Sequence, residues 1–206
     1  MRFFRDLSLG AKVAASFAVV GVASAVAGLG TFATFTSSTA ASNTVATGTV
    51  VIALGATGAS TNRLNINAAD VAAGDTIQRS VDLLNTGSTI DLASITLTTT
   101  ASPSTLLDTD ATNGLQMVID KCSVAWTEAG PPYTYTCSGT TSSVLATRAV
   151  IGSALTLSNL TALTAGATDH LRVTVNLPSA TGNTFQGLTS TVTYTFTGIQ
   201  RAATNK

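Results

Sequence analysis

The sequence predicts an all-β chain: an antiparallel, jelly-roll-like β-sandwich preceded by an N-terminal signal peptide. Three observations lead there. Only 10% of the 206 residues are charged, against the quarter usual in soluble domains, while Thr supplies 38 residues and Glu one. Long amphipathic helices need Glu, Lys and Arg on their wet faces, so a helical bundle is nearly excluded. Thr is β-branched and wets the outer face of a strand without a charge. The second observation is that apolar residues recur at every other position over most of the chain. The third is a basic start, carrying Arg2, Arg5 and Lys12 against Asp6, followed by the uncharged run 13–30.

That opening reads as an export signal. Ala25-Val26-Ala27 fits the small-x-small rule of signal peptidases, with cleavage after Ala27. The alternative is an uncleaved anchor, since about 18 apolar residues nearly span a bilayer. The expected organisation is signal 1–27, a mature N-terminal strand and linker over 28–47, and one sandwich domain over 48–206. Cleavage would leave seven basic and nine acidic residues, a net charge of −2. Such a weak charge gives no basis for nucleic-acid or anionic-membrane binding, so membrane contact is expected only through the signal segment.

Along the mature chain, 50–54 reads as a strand after a Gly-bearing turn. Segment 76–83 sets Ile77, Val81 and Leu83 on one face, with Arg79 as an exception placed near an edge. Ile90 and Leu92 are even while Ile95 and Leu97 are odd, which predicts a bulge or break at Ala93-Ser94. A helical turn is expected only over 104–108, after Pro103. Met117 and Ile119 give way to Cys122, Val124 and Trp126, another parity switch near Asp120. Tyr133, Tyr135 and Cys137 form a return limb. Leu171, Val173, Val175 and Leu177 alternate with polar residues until Pro178. Val192, Tyr194 and Phe196 alternate with four Thr, the cleanest wet-and-dry pattern present. VAAGDTIQRSVDLLN and LTAGATDHLRVTVNL are weakly alike, as two sheets entered by similar turns would be.

Cys122 and Cys137 lie fifteen positions apart around the turn-rich TEAGPP. In an exported chain a disulfide stapling this hairpin is the natural reading. Metal-ligating thiolates usually use C-x₂₋₄-C spacing with further Cys or His, which is missing here.

The N-terminal third resembles the TasA/camelysin family of exported bacterial proteins, and the region around Cys122 and the closing Gln200-Arg201 look like its actinobacterial members. Leu7-Ser8-Leu9-Gly10 opens the signal, and GLGTFATFTSST from Gly28 resembles the family's mature start. Ala46-Thr47-Gly48-Thr49-Val50 resembles its first strand, and AADVAAGDTIQRSVDLLNTGS, from Ala68 to Ser88, its "L-x-P-G-D, strand, N-x-G-S" segment. Ala72-Ala73 replace the Pro often found before Gly74.

The resemblance implies processing by a SipW-like signal peptidase, a jelly-roll-like sandwich, and location outside the cell or at its surface. It implies polymerisation with copies of the same chain into biofilm fibres, the mature N-terminus of one subunit adding a strand to the next. Residues 28–35 suit that role: they are uncharged, and Leu29, Thr31, Phe32 and Phe35 are the candidate donor-strand residues. Packing of the same strand on its own domain is the alternative.

The camelysin name implies instead a cell-surface metallo-endopeptidase with zinc as cofactor. The residues argue against it: a catalytic zinc site commonly takes three ligands and a base, and the chain has one His, one Glu and no H-E-x-x-H. No catalytic, cofactor or metal residue is therefore expected. His170 reads as a solvated side chain on a polar strand face, and Glu128 as an exposed loop acid. Asp108, Asp110, Asn113 and Gly114 resemble a calcium loop with its Gly one place late, and Ile119 where the bidentate Glu belongs, so a polar turn is expected. Trp126, Tyr133 and Tyr135 are the aromatics available for a carbohydrate platform, and their alternation with the cysteines places them in a core.

Overall fold

The alternating segments fold as ten strands, with one short α-helix and one 3₁₀ turn (Asn183–Phe185), among the described residues, which in this computed structural model are 49–64 and 71–204. In chain order these are β1 (Ala53–Leu54), β2 (Thr76–Leu84), β3 (Leu92–Ala101), α1 (Leu106–Thr109), β4 (Gln116–Cys122), β5 (Thr127–Ala129) and β6 (Thr134–Thr136). They continue as β7 (Thr141–Ala149), β8 (Gly152–Thr156), β9 (Thr168–Asn176) and β10 (Val192–Gln200). One sheet runs β1-β2-β9-β4-β7, a second β10-β3-β8, and β5 and β6 form a separate hairpin. All pairings are antiparallel, as the expected all-β fold requires. The signal segment with Ala25 and Ala27, and the donor residues Leu29, Thr31, Phe32 and Phe35, lie outside the described residues.

The two larger sheets share one core. Leu171 and Val173 of β9, Ile119 of β4 and Val81 of β2 meet Ile95 and Leu97 of β3, all at 0–1% exposure. Each such side chain contributes about 1.5–3 kcal/mol of burial. Thr99 also points inward, and its hydroxyl is satisfied there: it donates to the Val150 carbonyl at 2.6 Å and accepts from the Gly152 amide at 2.9 Å. That clip fixes the crossover from β7 to β8 onto β3.

The parity switches have two different causes. Ile199 stands opposite Ser94 and Gln200 opposite Leu92, so Ala93 bulges out of the ladder, as the sequence predicts. Around Asp120 the register with β9 runs unbroken from Gln116 to Cys122. The switch there is a change of face: Met117 and Ile119 look into the core, and Cys122 looks outward. Arg79 lies beyond β1, which pairs only with Leu83 and Leu84, so its expected place near an edge holds. The helical turn forms as α1, capped by Thr105 in a capping box with Asp108.

The two look-alike segments do not enter different sheets, as their similarity suggested. They become β2 and β9, paired over their full nine residues, Thr76 to Asn176 and Leu84 to Thr168. A local two-fold relates them. Gly74, two residues before β2, donates its amide to Leu177 just after β9, and Gly166, two residues before β9, donates to Asn85 just after β2. Both glycines have positive φ, 94° and 83°, which explains why Gly recurs at this point of each segment.

Candidate functional site

The outer face of the five-stranded sheet carries a second apolar cluster of Cys122, Trp126 and Tyr135, with Tyr133 and Cys137 packed against it. Cys122 and Cys137 form the expected disulfide, with Cα atoms 5.7 Å apart. It fastens the β5–β6 hairpin down over the sheet. The Trp126 indole donates to the His170 carbonyl at 2.9 Å, and the Tyr135 amide to the Gln78 side-chain oxygen at 3.3 Å. The Arg172 guanidinium stacks 4.5 Å from the Trp126 ring centre while donating to Asp120 at 3.0 Å. Trp126 and Tyr135 are buried, so the core reading of these aromatics holds and they offer no open platform.

Two side chains sit differently from their expected places. Glu128 is not an exposed loop acid. Both its oxygens accept from Arg63, at 2.9 and 2.6 Å, and Oε2 also accepts from the Tyr135 hydroxyl at 2.9 Å. The Arg63 guanidinium holds this carboxyl below the usual range, against the opposing effect of burial. Glu128 lies in β5 opposite Tyr135, not in the turn that follows, and Arg63 reaches it from 65 positions away. Similarly, His170 is on the polar face but not freely solvated: Nδ1 lies 2.7 Å from the Asp82 carboxylate, directly across the β2–β9 ladder. Arg63, Asp82 and Asp120 were not singled out in the sequence, because their partners lie 50 to 90 positions away and only the fold joins them, through strand register for Asp82 and Asp120.

The donor set does not fit a catalytic zinc ion. Among the described residues no group of three or more His, Cys, Asp or Glu lies close enough to hold a metal ion. The one His is engaged with Asp82, the one Glu with Arg63 and Tyr135, and both thiols are in the disulfide. The calcium-like stretch is likewise used locally. Asp108 accepts from Ser104, Thr105 and Ser190, and Asp110 from the amides of Thr112 and Asn113. Apart from the contact with Ser190, 82 positions away, these are cap and turn contacts, in keeping with the polar-turn reading.

A different feature is left at the rim of the sandwich. β10 ends its sheet, and among the described residues nothing pairs with its outer side. Its nine residues carry no charge, and Val192, Tyr194 and Phe196 on its core-facing side are only half-buried.

A family model described as camelysin metallo-endopeptidase matches residues 8–205. No curated protein matches the chain.

Proposed function

The chain belongs to the TasA/camelysin family, and from that premise we propose that it is an exported structural protein of the cell surface or biofilm matrix that assembles with its own copies into fibres. In this reading the 1–27 segment is removed by a SipW-like signal peptidase, and residues 28–35 add a strand to a neighbouring subunit. The observation that carries it is the long, uncharged edge of β10. Proteins that stay monomeric blunt such edges with Lys, Pro, bulges or a covering loop, and β10 has no Lys or Pro and a single register shift at its far end. Head-to-tail strand addition repeats without closing and so yields a filament.

Negative-stain microscopy of the purified chain 28–206 tests this. Fibres are expected, and deleting 28–35 should abolish them while leaving a folded monomer. Fibres of unchanged abundance would remove the strand-donation mechanism. The family description favours a second reading, a metallo-endopeptidase. It requires stoichiometric zinc and casein cleavage that a chelator stops and His170→Ala removes; metal-free, inactive protein dismisses it.

A further inference from the structure

The two sheets divide the charges of their strands unequally. Asp82, Asp120, His170 and Arg172 all belong to the five-stranded sheet, whereas β3, β8 and β10 contain no Asp, Glu, Lys, Arg or His. Surfaces in water ordinarily mix charges of both signs. The nearest charges flanking the three-stranded sheet, Asp91 and Arg201, sit just past the ends of β3 and β10, where the Arg201 amide donates to the Asp91 carbonyl at 3.3 Å.

Threonine in register takes their place. Ile95 and Leu97 face the core, so alternation turns Thr96, Thr98 and Thr100 of β3 outward. Thr193, Thr195 and Thr197 of β10 and Thr156 of β8 are exposed on the same face. The ladders set Thr193 opposite Thr100, Thr195 opposite Thr98, and Thr197 opposite Thr96, which also meets Thr156, so seven threonines form one grid. It repeats about every 7 Å along a strand and about every 4.8 Å across strands.

The hydroxyls of this grid are largely unused by the protein. Thr98 is pinned by the Ala154 amide, which donates to its hydroxyl at 3.0 Å. The other six hydroxyls have no protein partner among the described residues. Threonine is stiff at χ1, so such an array loses little entropy in meeting a fixed lattice. The aromatic side chains of β10, Tyr194 and Phe196, point at the core, which leaves no ring on this face for a sugar to stack on. The grid covers only about 300 Å², well short of the roughly 800 Å² per partner of a stable protein interface. Ordered water is the ligand that fits. Each threonine offers a methyl and a hydroxyl at a fixed spacing, and the two repeats lie close to those of the oxygens on a prism face of hexagonal ice.

We propose that the outer threonine face of the β10-β3-β8 sheet binds ice, an activity independent of the fibre reading above. Waters of the crystal face accept from and donate to the free hydroxyls, the methyl groups fill the hollows between them, and no charge holds a competing shell of water in place. Adjacent strands turn by about 20–25° relative to one another, so the match extends over a small patch. The activity expected is therefore a slowing of grain growth in polycrystalline ice.

Recrystallisation of ice in thin frozen films containing the purified chain 28–206 tests the assignment. Grains should stay small beside a buffer control, and Thr195→Lys, which raises an ammonium from the middle of the grid, should lose the effect. Thr193→Lys, one step along the same row, should lose it too. Thr76→Lys, at an exposed position on the other sheet, should keep it. Far-UV circular dichroism melts identify the variants that are folded. Grains that coarsen with the parent chain as they do in buffer overturn the proposal. Full activity in folded Thr195→Lys and Thr193→Lys overturns it as well, as does equal loss in folded Thr76→Lys, because the effect then does not belong to this face. Retention on insoluble cellulose or chitin with no effect on ice assigns the face to a polysaccharide and overturns ice as its ligand.

Discussion

The two faces of the five-stranded sheet are held by different physics. Its inner face is a dry row of Val81, Leu83, Met117, Ile119, Leu171 and Val173, whose burial needs only the right period and volume. Its outer face is built from Asp82–His170, Asp120–Arg172, Arg63–Glu128 and a disulfide-fastened aromatic hairpin. The inner face is non-directional and collective; the outer one depends on single contacts, each with its own geometry. The same strands supply both, so the difference lies in which residue of each alternating pair is considered. A half-buried ion pair contributes little more than its geometry allows, whereas a deleted core side chain leaves a cavity.

The largest expected effect is therefore on the inner face. Leu171 is fully buried between β2 and β4. Leu171→Ala should lower unfolding stability by roughly 2–5 kcal/mol, transfer and cavity terms together. Urea denaturation followed by far-UV circular dichroism measures it. A loss under about 1 kcal/mol would mean the inner face collapses around the gap and is not close-packed.

Replacing both cysteines comes next and separates the faces most directly. In the chain-entropy treatment a loop of this size loses about 3 kcal/mol with its cross-link. Cys122→Ser with Cys137→Ser should cost about that much. It should also release the β5–β6 hairpin, seen as loss of the near-ultraviolet signal of Trp126, while the far-ultraviolet signal of the two sheets persists. Simultaneous loss of both signals in one transition would show that hairpin and sandwich unfold as a single unit.

The same contrast sets what the sequence disclosed. β9 and β10 were legible because each keeps a period of two that burial follows, and β2 because it keeps that period apart from Arg79. β7 was not: its bulges gather Val144 with Leu145, and Val150 with Ile151 follows at its end, so the apolar residues fall in pairs rather than alternating. The disulfide was legible from spacing and the expected compartment, and α1 from its place after Pro103. The roles of Glu128 and His170 were not, because a polar residue on a wet face looks the same whether or not a distant strand brings it a partner. Arg63 is 65 positions from Glu128, and Asp82 is 88 from His170. The open edge of β10 was half visible: the Thr alternation marked a strand with one wet face, but only the sheet order shows that no strand among the described residues pairs beyond it.

Acid sharpens the comparison last, with the smallest effect. Asp169, at the end of the inner face and 2% exposed, accepts from the Thr161 and Ala162 amides, the Thr161 hydroxyl and Lys121. Burial raises its pKa, and these hydrogen bonds outweigh that and hold it below the model-peptide value of 3.8. Glu128 on the outer face is lowered from 4.5 by Arg63. A depressed carboxyl lends stability that is present above its unfolded pKa and lost as pH falls through its folded one, so both contributions are whole at pH 7 and fade below about pH 4. Asp169→Asn should be less stable than the parent at pH 7, and the gap should narrow steadily from pH 4 to pH 2. Glu128→Gln should show the same narrowing with a smaller gap at pH 7, about 1 kcal/mol or less. Thermal melts across that range measure both. A Glu128→Gln gap equal to that of Asp169→Asn would mean the outer-face latch is as dry as the core and that the two faces are not energetically distinct.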